Sequence, residues 1–206
     1  MLLPMTLFAQ QTALKAVDAA KQKEMVATIN QTASSMKSIV CDFEQTKSLS
    51  LLNDKFVSKG KMYYKQGQRL RWEYLSPYKY IFIVNGSKII LKANQQQKNE
   101  LDVRSSKMFQ EVVQIMMNSV TGKCLNDGTS FKVTLYTTTN QRWVARLVPL
   151  KKEIKQMFSL ITLYFDQNHT MVSAIDLQEK NGDVTHIELK NVELNKGVNE
   201  KIFTLD

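Results

Sequence analysis

Apolar and polar residues alternate with period two through the first half of the chain. Met62 and Tyr64 fall on one side of an expected strand, with Lys61 and Lys65 on the other. Beyond a turn at Gly67, Leu70, Trp72 and Tyr74 share one face while Arg69, Arg71 and Glu73 share the opposite one. Successive strand side chains point to opposite faces, so this pattern predicts an antiparallel sheet with one buried and one solvated face. Strands are expected at about 38–49, 55–65, 69–75, 79–85, 87–92 and 97–103, punctuated by Asn53-Asp54, Gln66-Gly67, Ser76-Pro77 and Asn85-Gly86. They resume at about 130–136, 141–148, 157–165, 170–178 and 183–192. Such spacing leaves room only for hairpins, and about eleven strands form a mostly antiparallel, strongly curved meander.

Two segments carry helical periodicity instead. From about Thr12 to Met36 the residues Met25, Ile29, Ala33 and Met36 make one apolar stripe, the mark of an amphipathic helix that covers a sheet. From about Ser106 to Ser119 most of the circumference is apolar, and Lys107, Glu111, Gln114 and Asn118 form the only polar stripe. That helix must be buried nearly all round, either as a lid in the mouth of the curved sheet or as a permanent part of the core. The fold class is α+β.

The strand pair also carries a resemblance. Gly60-Lys61-Met62-Tyr63-Tyr64, then Leu70-Arg71-Trp72-Glu73-Tyr74, then Ser76-Pro77 resembles the strand pair of the outer-membrane lipoprotein carrier (LolA) family. Two further blocks follow in order: Leu147-Val148-Pro149, and the run from Asp176-Leu177 through Gly182-Asp183, Thr185, Ile187, Leu189, Asn191 and Asn195 to Phe203. The resemblance implies an unclosed β-barrel with a helical lid that encloses acyl chains. It implies a periplasmic monomer that takes acylated lipoproteins from an inner-membrane release transporter and delivers them to an outer-membrane acceptor. Where family members often carry an Arg-Pro whose arginine holds the lid shut, this chain has Gln66-Gly67, and a neutral amide makes a weaker latch than a guanidinium.

On this reading the wall of the acyl-chain cavity consists of Met62, Tyr64, Leu70, Trp72, Tyr74, Ile81, Ile83, Ile89, Leu91, Trp143, Ala145 and Leu147. The lid contributes Met108, Val112, Ile115 and Met116. An alternative use of the same scaffold is a lipid- or lipoprotein-sensing module that acts on a signalling partner.

Composition narrows the choice further. The formal charge of +9 invites a nucleic-acid reading, but the basic residues are scattered over alternate strand positions and lack the stacking aromatics of an RNA-binding sheet, so no nucleic-acid partner is expected. His169 and His186 have no neighbour at metal or triad spacing, and phosphate-loop and nucleophile-elbow motifs are lacking; neither an enzyme nor a cofactor or metal is expected. Cys41 and Cys124 are a candidate disulfide pair, the alternative being two buried free thiols. Met1 to Ala9 read as the remnant of a secretory signal peptide, against an ordinary N-terminal tail, leaving residues 10–206 as one domain.

Overall fold

The period-two pattern becomes a single antiparallel sheet in the computed structural model, which describes residues 13–52, 54–93, 99–102, 114–115, 117–169 and 171–204. Its strands are β1 (Leu14–Ala16), β2 (Ser38–Ser48), β3 (Lys55–Lys65), β4 (Arg69–Ser76), β5 (Tyr80–Asn85) and β6 (Lys88–Ala93). There follow β7 (Asn99–Asp102), β8 (Phe131–Thr138), β9 (Trp143–Pro149), β10 (Phe158–Phe165), β11 (Val172–Glu179) and β12 (Val184–Leu194). Their order across the sheet is β1-β8-β9-β10-β11-β12-β2-β3-β4-β5-β6-β7. The C-terminal meander therefore docks on β2 through β12, and the two ends of the sheet, β1 and β7, do not pair with each other. Both are short, which limits the unpaired backbone they present.

All eleven expected strands are present, and β1 is a twelfth. It lies where the first helix was expected to begin. That helix, α1 (Ala19–Ser35), starts later because the Asp18 carboxylate accepts a hydrogen bond from the Lys21 backbone N–H at 2.8 Å and caps the first turn. The residues before it are free to pair with Tyr136–Thr138 on β8. In the second helical region, residues 114–115 and 117–121 are helical, and a 3-10 turn, Lys123–Asn126, follows.

Cross-strand partners share a face, so the register sorts the side chains. Phe43, Met62, Trp72, Phe82 and Leu91 lie on the concave side, and with them Leu135, Ala145, Leu163, Ile175 and Ile187. Met25 and Ile29 of α1, with Met36 just after it, join them in one continuous core. The convex face of β2, β3, β4 and β12 is laced with ion pairs, among them Lys61–Asp42 at 2.8 Å, Lys59–Glu44 at 3.2 Å, Lys190–Glu44 at 3.3 Å and Arg71–Glu73 at 2.9 Å. These pairs are mostly exposed, so they contribute little stability and chiefly keep that face wet.

Part of the convex side is nonetheless covered. The C-terminal segment returns over β3–β6, where Phe203 is fully buried against Ile83 and Ile90, with Tyr63, Ile81, Val198 and Ile202 around them. Arg71 donates to the Ile202 carbonyl at 3.0 Å, and Glu200 pairs with Arg69 and Lys65. Strand β5 is thus buried on both faces, which explains its unbroken apolar run Tyr80-Ile81-Phe82-Ile83-Val84.

The candidate disulfide is corrected. Cys41 and Cys124 are both free thiols buried in the core. Burial pushes each up to about 12, so neither supplies the thiolate that oxidation or exchange requires.

Gly60 is the tightest point of the sheet. It stands opposite Phe43 on β2 and Tyr74 on β4, beside a register shift between Lys59 and Gly60. A Cβ there would lie 2.0 Å from the Glu73 carbonyl oxygen and 2.6 Å from the Phe43 ring. The missing side chain lets Phe43 lie across the strand and pack on Trp72 (centroids 4.5 Å apart) and edge-on to Tyr74 (5.1 Å). Gly60→Ala is predicted to lower the free energy of unfolding by about 1–3 kcal/mol, the usual cost of overpacking, measured by urea denaturation.

Candidate functional site

The concave face does not fill completely. A cavity of about 190 Å³ remains between β2, β4 and β10–β12 on one side and the helical residues Ile115, Ser119 and Val120 on the other. Ile175, Leu177 and Ile187 supply its sheet wall, Phe158 one end, and Ile115 and Val120 its helical wall. The residues of the wall that bear polar groups are Gln45, Trp72, Tyr74, Ser119 and Thr185; among the described residues none in the lining is charged.

These groups are placed by ordinary strand geometry. Gln45 follows Ile39, Cys41 and Phe43 on the concave face of β2, and Thr185 stands opposite Lys47 on β12. Tyr74 donates its hydroxyl proton to Gln45 Oε1 at 2.9 Å. Burial raises the Tyr74 pKa, against the opposing pull of Trp72 and Gln45, so this hydroxyl stays neutral and remains a donor. The Trp72 Nε1–H lies beside the Tyr74 hydroxyl and the buried Ser119 hydroxyl beside the Cys124 thiol, and among the described residues neither makes a hydrogen bond of normal geometry.

One position further along the same face of β2, Lys47 marks the change from core to rim. Its ammonium pairs with Glu179 at 2.9 Å and approaches Asp183 to 3.9 Å. Beyond it, the hairpin and strand ends expose Leu51, Leu52, Phe56, Leu75 and Tyr78, with Leu51 91% and Tyr78 77% accessible. Phe56 stands opposite Lys47, on the face that carries the cavity.

The residues expected at the cavity divide into groups. Trp72 and Tyr74 line it directly. Met62, Tyr64, Leu70, Ile89, Trp143, Ala145 and Leu147 are buried on the same concave face and pack in the surrounding core, with Leu91 partly buried against it. Ile81 and Ile83 do not belong to this set. In the register Tyr74–Tyr80, Trp72–Phe82 and Leu70–Val84, it is Tyr80, Phe82 and Val84 that face inward, and Ile81 and Ile83 lie under the C-terminal segment on the convex side. A run apolar at every position gives no period from which to choose a face.

Of the expected lid, Ile115 is buried in the cavity wall, while Met108, Val112 and Met116 lie outside the described residues, as do Met1–Ala9. The Gln66 side chain reaches the Ser34 carbonyl at the end of α1, at 3.4 Å. Sequence reasoning missed Gln45, Ser119, Val120, Phe158, Ile175, Leu177, Thr185 and Ile187 as lining. The apolar members follow the alternation of β10–β12, but which strand faces Trp72 across the concavity depends on sheet curvature.

The two histidines sit elsewhere. His169 stacks flat on Trp143, centroids 3.9 Å apart, and His186 bonds to Asp176, which also accepts the Tyr164 hydroxyl at 2.7 Å. That line crosses β10, β11 and β12 on the convex face, and no spacing in the sequence announces it. Among the described residues no group of three or more His, Cys, Asp or Glu could hold a metal ion. No described helix is long and apolar enough to cross a membrane.

An unclosed antiparallel sheet, curled around a helix-walled apolar cavity, is the architecture that these elements define. The chain belongs to the outer membrane lipoprotein carrier protein LolA family, whose model matches residues 34–206. Among solved structures it is similar to an uncharacterized conserved protein from Thermus thermophilus, with a TM-score of 0.54 and 8% identity over 89% of this chain and 92% of that one. It is also similar to the MucA/MucB complex structure of Pseudomonas aeruginosa, with a TM-score of 0.52 and 11% identity over 89% of this chain and 61% of that one. At such identities these likenesses describe the fold. A comparison with curated protein sequences finds no match.

The cavity and the convex apolar patch are separable. Leu177→Trp, which places an indole in the cavity, is predicted to weaken binding of a polarity-sensitive apolar dye about tenfold, roughly 1.4 kcal/mol. Ile81→Ala, on the far face, is predicted to lower stability without changing dye affinity. Fluorescence titration of both variants checks the pair.

Proposed function

We propose that this protein is a periplasmic carrier that binds the acyl chains of lipoproteins and shuttles them from an inner-membrane release transporter to an outer-membrane acceptor. It acts by binding and release, without catalysis. The observation that carries the reading is the cavity: an apolar hollow on the concave face of a family scaffold described as a lipoprotein carrier.

The physical problem of such a carrier is transfer through water, where each exposed methylene costs roughly 0.8 kcal/mol. An apolar hollow of about 150 Å³ can bind benzene, so a hollow of about 190 Å³ takes part of one acyl chain. Full loading therefore requires the helical wall around Ile115 and Val120 to move away from the sheet. That movement would expose the concave face where cargo enters. The exposed Leu51, Leu52, Phe56, Leu75 and Tyr78 suit docking against apolar partner surfaces during exchange.

A second reading follows from the MucA/MucB likeness: a module that binds a protein partner on this scaffold and senses lipid instead of moving it. The two separate in one assay. The protein is mixed with spheroplasts bearing newly made lipoprotein, and the soluble fraction is tested for a complex. The carrier reading predicts a soluble complex with the acylated form only, lost on Trp72→Glu. A folded protein that binds lipid yet releases no lipoprotein would favour the sensing module.

A further inference from the structure

Two polar groups in the cavity wall, the Trp72 indole N–H and the Ser119 hydroxyl, make no hydrogen bond of normal geometry among the described residues. Tyr74 engages Gln45 Oε1 at 2.9 Å, which occupies the carboxamide oxygen and leaves its NH2 group as the part of Gln45 that a guest could meet. Trp72 and Ser119 are each 3% exposed; the indole N–H lies beside the Tyr74 hydroxyl and the Ser119 hydroxyl beside the Cys124 thiol, but among the described residues neither makes a hydrogen bond of normal geometry. A buried donor without a well-placed acceptor is costly, and here two occur in the wall of one mainly apolar hollow.

The chemistry of the missing acceptor can be read from the wall. An ionised carboxylate would have to shed its water beside residues that, among those described, carry no cation. A neutral carbonyl oxygen loses far less and matches neutral N–H and O–H donors. Lys47, the first charge on this face of β2, stands one position beyond Gln45 toward the rim and is already held by Glu179 and Asp183. A tail lying along Ile175, Ile187 and Val120 would leave a carbonyl at the level of Gln45 and Trp72 and polar groups toward Lys47.

Resting on the carrier reading, we propose that Gln45, Trp72 and Ser119 recognise the neutral carbonyl of the ester or amide that joins an acyl chain to its carrier. The cavity thus selects acyl groups over alkyl chains of the same length and over free fatty acids. The tail supplies affinity, and the carbonyl fixes how far the chain enters.

The test compares 1-acyl and 1-O-alkyl lysophosphocholine of equal chain length, which differ by the carbonyl alone. Each displaces an apolar fluorescent dye from the protein, below its micelle-forming concentration. The acyl form is expected to bind about tenfold more tightly, and the ratio of the two affinities to fall toward one in Gln45→Leu and in Trp72→Phe. Circular dichroism confirms that each variant is folded. Equal affinities in the unaltered protein, or a tenfold ratio kept in both variants, would overturn the proposal while leaving a carrier of apolar chains standing. If neither lipid displaces the dye, the carrier reading falls with it.

Discussion

A twelve-stranded sheet that curls without closing has an apolar concave face and, among the described residues, no second sheet to bury it against. Every other feature answers that constraint. The stripe of α1 and the helical residues Ile115, Met117 and Val120 pack into the concavity, where they join the core of the sheet's apolar face. Against the sheet these described helical residues leave a hollow, and that hollow is the cavity. The same curvature draws Phe43 across Gly60 onto Trp72 and Tyr74, and so fixes the wall from which the cavity is viewed.

Polarity changes in steps along one strand. On the concave face of β2, Ile39, Cys41 and Phe43 are buried, Gln45 meets the cavity with a neutral amide, and Lys47 reaches the rim as half of an ion pair. An amphiphile has the same order from tail to head. The outer face shows a contrasting arrangement, with charges paired on β2, β3, β4 and β12. This arrangement places the considerable positive charge of the chain where it does not intrude on the cavity.

Much of this was legible in the sequence because alternation reports a face directly. Leu70, Trp72 and Tyr74 could be assigned to one side from their spacing, and the close turn signals allowed only hairpins. The failures have equally definite causes. Ile81 and Ile83 sit in a strand buried on both sides, by the core on one and by Phe203 on the other, so periodicity carried no choice of face. β1 is three residues long and depends on pairing with β8, more than a hundred positions away. Gln45, Ser119 and Thr185 are ordinary polar residues until curvature brings them to one hollow. Cys41 and Cys124 showed their number in the sequence but not their mutual placement.

The central claim is that acyl chains lie against the concave face, and the most direct measurement uses two neighbours in sequence. Ile187 lines the cavity, whereas Glu188 is exposed on the opposite side of the same strand. A photoreactive residue is placed at each position in turn, irradiated in complex with an acylated lipoprotein, and the adducts are mapped by mass spectrometry. The account predicts adducts to the acyl chain from position 187 and none from 188. Equal labelling from both positions, or labelling from 188 alone, would contradict it.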